Sequence, residues 1–157
     1  MKRLFIPLLF AVISLLCGAC RKSTVTMYDG SYFIWFDAAN SGPVSINEEA
    51  TLSAEYSVHL SATMPKSAVK VKFEVVPGDG LKENTDYQIL TTGGTLTFYP
   101  GLFSLPIRIK WLPNKVDPAK DNSVTIRLTG CAPDGYSLGM PGPDHNLEKI
   151  IITKYKN

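Results

Sequence analysis

Residues 135–139 read Gly-Tyr-Ser-Leu-Gly and match G-x-S-x-G, the string in which many hydrolases carry a nucleophilic serine. A serine in this string reacts only where a strand turns sharply into a helix, because that turn exposes the hydroxyl and supplies backbone donors for the oxyanion. Residues 140–143 follow as Met-Pro-Gly-Pro, and two prolines with a glycine are incompatible with the start of a helix. We therefore expect a loop before the last strand and no hydrolase site at Ser137.

Histidine and carboxylate side chains are the other candidates for catalysis or metal binding. His59 lies on the polar face of a predicted strand, and His145 lies in a loop rich in proline and glycine. Neither has a Cys, His or carboxylate neighbour at the spacing of a zinc site. The acids that could form a catalytic pair fall in loops or turn flanks, where we expect them to be solvated: Glu48, Glu49, Asp79, Glu83, Asp86 and Asp134. We predict no catalytic residue, no bound metal and no cofactor.

Cys20 offers a different chemistry, acylation of its thiol. Residues 2–3 are basic, residues 4–16 form an apolar run, and the small residues at 18–19 lead directly to the cysteine. This layout is typical of a secretory signal peptide. The apolar run is too short to span a bilayer core, which needs about 20 apolar residues in a helix.

The same pattern resembles the lipobox of bacterial lipoproteins, in which the acylated cysteine becomes the first residue of the mature chain. We predict a lipoprotein signal peptide over residues 1–19, a lipidated Cys20 with a tether over residues 20–30, and a single domain over residues 31–157. An ordinary cleaved signal followed by an unmodified cysteine is the alternative.

The charge balance excludes one class of partner. The sequence has 16 Lys and Arg residues against 14 Asp and Glu residues, and Lys2 and Arg3 leave with the signal peptide. The mature chain is then close to neutral, whereas a nucleic-acid-binding protein is expected to carry a clustered basic face. We expect no nucleic-acid partner. Arg21 and Lys22, beside the anchor, are suited to contacts with anionic lipid head groups.

Aromatic side chains beside turns are candidates for ligand contact, because exposed rings can lie flat against the apolar faces of sugars. Tyr99 and Tyr136 both lie beside Gly- and Pro-rich turns, and we predict them as a ligand platform. Trp35 and Trp111 alternate in phase with aliphatic neighbours, so we expect both in the core.

These residues must be positioned by strands, because polarity alternates with a period of two along most of the chain. In residues 50–62 the apolar side chains fall on one face and the polar side chains on the other, which a helix would not do. The predicted strands cover residues 32–36, 50–62, 69–75, 87–90, 95–99, 105–111, 123–129 and 147–155. About eight short strands with Pro- and Gly-rich turns predict an all-β fold, a Greek-key, immunoglobulin-like β-sandwich of two antiparallel sheets.

Three short segments predict local structure. Residues 92–94, Thr-Gly-Gly, are a turn signal between two of the predicted strands. Pro100-Gly101 suits a type II turn, since proline fixes φ and the next residue must tolerate φ > 0. We expect the Asp86 carboxylate to cap its own turn and the ring of Tyr87 to be buried beneath it.

Residues 82–87 (Lys-Glu-Asn-Thr-Asp-Tyr), residues 94–101 (Gly-Thr-Leu-Thr-Phe-Tyr-Pro-Gly) and the strands that follow resemble the Calx-beta-like sandwich, over roughly residues 50–155. Within that superfamily the chain is most similar to small envelope lipoproteins of Bacteroidetes type. The resemblance implies a β-sandwich located in the envelope, and Arg21 directly after Cys20 fits the outer-membrane sorting of such lipoproteins. It implies no settled activity.

The loop over residues 113–122 departs from calcium-binding members of that superfamily, which place clustered acids there. Calcium takes six to eight oxygen ligands, usually including several carboxylates. This loop has Asp117 and Asp121, but Lys115 and Lys120 are interleaved with them and would repel a dication. We expect no calcium site in this loop.

We therefore expect a non-catalytic, lipid-anchored envelope protein whose β-sandwich is a binding or interaction module at the outer membrane, on either its periplasmic or its surface face. The membrane contact is made through Cys20, and the second partner is an envelope protein or a glycan. The main alternative is a glycan-binding accessory lipoprotein of a polysaccharide-capture system. A calcium-dependent adhesion module and a hydrolase are less favoured by the residues.

Overall fold

The structure is a computed structural model that describes residues 32–156. The predicted signal peptide, Cys20 and the predicted tether lie outside the described residues. The described residues form ten strands in two five-stranded sheets. The strands are β1 (Tyr32–Phe36), β2 (Ser45–Asn47), β3 (Leu52–Ser61), β4 (Val69–Pro77), β5 (Tyr87–Ile89), β6 (Thr95–Phe98), β7 (Ser104–Trp111), β8 (Ser123–Ala132), β9 (Tyr136–Leu138) and β10 (Lys149–Tyr155).

The first sheet has the order β5-β7-β3-β1-β9, and the second has the order β2-β10-β8-β4-β6. The core lies between them and is built from the inward face of each alternating strand. In β3, for example, Ala54, Tyr56 and Val58 are buried while Ser53 and Glu55 are exposed. Each fully buried aliphatic or aromatic side chain contributes about 1.5–3 kcal/mol, so the alternation read from the sequence is what holds the two sheets together.

The largest buried side chains also satisfy their polar atoms. The indole nitrogen of Trp111 donates to the hydroxyl of Tyr56 over 3.2 Å, and that hydroxyl donates to the carbonyl of Pro43 over 3.0 Å. Burial raises the pKa of Tyr56 to about 12. Trp111 is in the core, as the sequence predicted.

Two details of the sheets differ from the predicted antiparallel arrangement of about eight strands. The three-residue strands β2 and β9 are additional, because so short a run carries too little alternation to be recognised. Both lie at sheet edges and run parallel to a neighbour: β9 pairs with β1, and β2 pairs with β10.

The two glycine turns have different roles. Tyr99 accepts a hydrogen bond from the backbone of Leu102, and Gly101 has φ 90°, which confirms the predicted type II turn at Pro100-Gly101. The segment Thr92–Gly94 forms a short 3₁₀ turn, but β5 and β6 belong to different sheets, so this turn crosses the sandwich and closes no hairpin.

The sandwich has two ends, which the strand register defines. At the proximal end the starts of β1, β4, β7 and β9 lie beside the ends of β3, β6 and β8, with the loops 62–68, 99–103 and 132–135. At the distal end the starts of β3, β5 and β8 lie beside the ends of β4, β7 and β10. Within residues 32–156 the structure has no helix that is long and apolar enough to cross a membrane.

Candidate ligand-binding groove

A groove of about 540 Å³ runs over the outer face of the second sheet, where β6, β4 and β8 lie side by side. Alternation along β4 buries Val69 and Val71 and leaves the lysines between and after them exposed on the outer face. The groove is lined by Lys70, Lys72, Thr95, Thr97, Thr129, Gly130, Cys131 and Ala132.

A β-bulge shapes the floor of this groove. Lys72 is paired with Gly130 and Phe73 with Leu128, so Thr129 is an extra residue on β8. Gly130 has no side chain, and a Cβ placed there would have no neighbour within 4 Å. The missing side chain and the bulge together open a hollow on a sheet face that regular strands would fill with side chains.

The lining is basic and rich in hydroxyls. Two lysines and three threonines face the groove, and no carboxylate is among its lining residues. Burial raises the pKa of the Cys131 thiol, and the thiol donates a hydrogen bond of 3.5 Å to the carbonyl of Tyr136. Cys131 is therefore protonated at neutral pH and is not activated as a nucleophile. These groups suit an anionic or polyhydroxylated ligand.

The two predicted platform tyrosines are associated with different sheets. Tyr99 is 61% exposed and directly follows β6, so it continues the outward row of Thr95 and Thr97. Tyr136 lies on β9 and is half-buried, with its ring centroid 5.7 Å from that of Tyr32. The structure describes both tyrosines, and neither is among the residues that line the groove.

Trp35 lies farther from the core than the sequence predicted. It is only half-buried, and its ring contacts Phe33 and His59 with centroid distances of 4.8 Å and 5.3 Å. The strand β1 is apolar on both faces, so alternation could not decide which face is the inner one. Ile34 and Phe36 fill the core instead.

The structure brings together a serine, a histidine and an aspartate that the sequence did not link. The Nε2 atom of His59 lies 3.2 Å from Asp37 Oδ2 and 3.4 Å from Ser104 Oγ. In a Ser-His-Asp relay the acid binds Nδ1 and the serine binds Nε2. Here both contacts fall on the same nitrogen, so the carboxylate does not orient the ring towards the hydroxyl. The cluster fits an exposed polar network better than a catalytic relay.

Ser137 lies in the middle of the short strand β9, opposite Phe33 of β1. Gly139 follows with φ 80°, and its N–H donates to the carbonyl of Ile34 over 2.8 Å. The chain then passes through turns to β10 without forming a helix. The segment is a strand where a loop was predicted, and it lacks the strand-to-helix turn that a nucleophilic serine needs.

Two of the acids expected to be solvated are instead buried, which corrects the sequence interpretation. Glu48 is buried and accepts a hydrogen bond of 2.9 Å from the backbone of Val116. Asp86 is buried and lies 3.1 Å from the Nζ atom of Lys154, whose side chain is fully buried. The predicted turn cap is confirmed, since Asp86 Oδ2 accepts the backbone N–H of Lys82 over 2.9 Å.

The partners of Asp86 decide its ionisation. Burial raises the pKa of this carboxyl, but hydrogen bonds from Lys82 and Asn114 and the ammonium group of Lys154 together bring the pKa below its ordinary value. Asp86 is therefore ionised at neutral pH, and Lys154 neutralises it. Within residues 32–156 no cluster of three or more acidic, His or Cys side chains is placed to hold a metal ion.

Comparison with known proteins defines the fold class. Neither a protein-family model nor a curated protein sequence matches the chain. Among solved structures the chain is similar to the one titled "Crystal structure of CBD12 from CALX1.2", with a TM-score of 0.54 and 18% identity, over 78% of this chain and 44% of that chain. The chain thus spans less than half of that protein's length. The likeness shows a Calx-beta-like β-sandwich and confirms the predicted fold class; at this identity it concerns the fold alone.

Proposed function

We propose that the protein is a non-catalytic binding module, held at the outer membrane by lipid on Cys20, and that the groove over β6, β4 and β8 is its binding surface. The observation that carries the proposal is the groove itself, a hollow of about 540 Å³ on a sheet face. Concave sites with a few convergent polar groups are the usual places where ligands bind.

The non-catalytic part of the proposal is supported by the geometry of the three candidate catalytic groups. Ser137 lies on a strand with no helix after it. The contacts of His59 with Asp37 and Ser104 converge on one ring nitrogen. Among residues 32–156, Asp86 is the acid that pairs with a buried lysine, and it is only 3% exposed at the distal end of the sandwich.

The location in the envelope is supported by the sequence alone. The lipobox resemblance at Cys20 and the Arg21 that follows it favour a lipid-anchored protein of the outer membrane, on either face. The described chain begins at Tyr32, at the proximal end of the sandwich, so the anchor joins the domain there.

A substitution at Gly130 tests the binding surface. A Cβ at Gly130 would have no neighbour within 4 Å, and the backbone there has no positive φ. We therefore expect Gly130→Phe to fill the groove and to leave the fold intact. Ser53→Phe is the matched control, because it adds the same ring to the exposed outer face of the first sheet. Both variants and the wild type are chemically cross-linked in intact envelopes, and the cross-linked species are compared.

We expect one defined cross-linked partner with the wild type and with Ser53→Phe, and its loss with Gly130→Phe. A partner that persists with Gly130→Phe would place binding elsewhere on the protein. If no defined partner is cross-linked by any of the three chains, the interaction with an envelope protein is contradicted.

A glycan-binding accessory protein is the second candidate. It is favoured by the exposed ring of Tyr99 beside a groove lined with hydroxyl and ammonium groups. A ligand bound only by the folded state raises the unfolding free energy by RT ln(1 + [L]/Kd), about 2.7 kcal/mol at a hundredfold excess over Kd. We expect one polysaccharide class to raise the Tm of the wild type, and calcium alone to leave it unchanged.

Aromatic variants locate the sugar site. Tyr99→Ala and Tyr136→Ala are expected to abolish the Tm shift, whereas Tyr99→Phe keeps the flat ring and should retain most of it. A shift that survives both alanine substitutions would contradict the tyrosine platform, and a panel without any shift would contradict glycan binding.

A further inference from the structure

Three large apolar side chains are exposed at the proximal end of the sandwich, in two of its loops. Met64 is 69% exposed in the loop between β3 and β4, and Leu102 and Phe103 are 43% and 37% exposed in the turn between β6 and β7. We refer to Met64, Leu102 and Phe103 as the apolar tip. Exposed apolar side chains gathered at one end of a domain are candidates for contact with a protein or a membrane.

Hydrogen bonds fix the apolar tip beside the point where the chain enters the domain. The carbonyl of Phe103 accepts the backbone N–H of Leu60, which lies near the end of β3, over 2.9 Å. The hydroxyl of Tyr32, the first described residue, lies 2.8 Å from the hydroxyl of Thr63, next to Met64. Both loops of the apolar tip are therefore tied to the strand pair β1–β3 at its proximal end.

We propose that the apolar tip docks on the lipid bilayer in which Cys20 is anchored, so that the sandwich stands on the membrane with its proximal end down. This inference rests on the lipid anchor of the proposed function. It adds a second, non-covalent membrane contact made by the folded domain.

The length of the chain between Cys20 and the domain favours a bilayer as the surface that the apolar tip contacts. The segment from Cys20 to Tyr32 spans at most about 40 Å when fully extended. The strand β3 has ten residues and is about 34 Å long, so the distal end could reach the bilayer only if nearly the whole segment lay alongside the sandwich. An anchor at Cys20 thus holds the apolar tip near the lipid, which makes docking an intramolecular event with a high effective concentration.

The charges at this end are compatible with lipid head groups. Lys66 is exposed in the same loop as Met64, and Lys70 begins the outward row of β4. Asp134, in the exposed loop between β8 and β9, adds a negative charge at the same end. Apolar side chains with lysines at the same end of a domain suit a surface that lies at a membrane interface.

Fluorescence quenching by brominated lipids tests the proposal on the full mature chain. Phe103→Trp puts a reporter in the apolar tip, and Leu102→Trp is a second reporter one residue away. Val76→Trp is the matched control, because Val76 is 48% exposed at the end of β4 on the distal side. Each chain is reconstituted in vesicles of phosphatidylethanolamine and phosphatidylglycerol, with or without bromine on the acyl chains, and the wild type gives the background from Trp35 and Trp111.

We expect bromine to reduce the added emission at positions 103 and 102 by at least twofold and to leave that at position 76 unchanged. The mass of the same mature chain shows whether Cys20 is acylated. If Cys20 is acylated but bromine quenches the reporters at both ends equally, or at neither end, docking by the apolar tip is contradicted. The lipid anchor is then still supported. A chain without acyl groups on Cys20 overturns the anchor and, with it, the docking.

Discussion

Lys154 places a positive charge inside the sandwich, where a lysine is rarely found without a partner. Its Nζ atom donates to Asp86 Oδ1 over 3.1 Å and to the carbonyl of Leu112 over 2.9 Å, while Asn114 donates to the same carboxylate. The pair connects β10 to the loop before β5 and to the loop after β7. Removal of one partner would leave the other buried without a counter-charge, which costs far more than the pair itself contributes.

We predict that Lys154→Met lowers the free energy of unfolding by about 3–5 kcal/mol, because the buried Asp86 carboxylate then loses the ammonium group of Lys154. Lys156→Met is the control, since Lys156 is exposed and directly follows β10. The double variant Asp86→Asn/Lys154→Met should lose clearly less than the sum of its single variants. Urea unfolding is measured for the wild type, Asp86→Asn, Lys154→Met, the double variant and the Lys156→Met control. Additive losses would show that the two side chains do not interact.

The lowered pKa of Asp86 also predicts how the free energy of unfolding depends on pH. Its pKa is lower in the folded chain than in the unfolded chain, where it is about 3.9, so the unfolded chain takes up the proton first as the pH falls. The stabilisation is therefore complete above about pH 5 and is lost as the pH falls through the folded-state pKa. We expect the difference in unfolding free energy between wild type and Asp86→Asn to shrink steadily below about pH 4. If this difference stayed constant down to pH 2.5, the lowered pKa of Asp86 in the folded chain would be contradicted.

At the scale of single residues, the sequence predicted the features that depend on neighbouring residues. The turn cap at Asp86 and the burial of Tyr87 follow from neighbouring residues, and the structure confirms both. The partner Lys154 was not predicted, because it is brought to Asp86 by the tertiary fold. Its burial could have been found, since Lys154 lies on the same strand face as Ile150 and Ile152.

At the scale of elements, the short edge strand β9 depends on how it ends. Gly139 has φ 80°, and its N–H bonds to Ile34 of β1. A Cβ at Gly139 would lie 2.4 Å from the carbonyl oxygen of His145, which is a backbone atom and has little room to move. The glycine is therefore required twice, by its backbone conformation and by the close approach of the loop after it.

Gly139→Ala separates these two requirements when it is compared with Gly93→Ala. Gly93 has a similar φ of 84°, but a Cβ there would have no neighbour within 4 Å. We expect Gly93→Ala to lower the unfolding free energy by about 1–2 kcal/mol, the cost of the left-handed conformation alone. Gly139→Ala should cost more, because the steric clash is added. Equal losses in urea unfolding would show that the loop after β9 moves freely.

The groove shows why this candidate site could not be read from the sequence. Its lining comes from β4, β6 and β8, which are neighbours only because of the strand order, and its floor depends on a bulge at Thr129. The sequence predicted that each of these strands exists, since each alternates clearly. It did not predict their order, because the pairing of distant strands is decided by the whole fold and leaves no local pattern.

At the scale of the whole molecule, the strands nearest to both ends of the described chain lie inside their sheets. β1 is flanked by β3 and β9, and β10 is flanked by β2 and β8. Ile150 and Ile152 of β10 are buried in the core between the sheets. The second sheet therefore cannot be completed before β10 is present, as expected for a fold dominated by non-local pairing.

This topology predicts that the fold is lost as a unit when β10 is removed. A chain that ends at Glu148 lacks β10, and we expect it to have no cooperative urea transition, because β2 and β8 lose their common neighbour and the core loses two isoleucines. A chain that ends at Tyr155 is the control and should unfold like the full chain. A cooperative transition in the chain that ends at Glu148 would mean that the other strands form a stable sandwich without it.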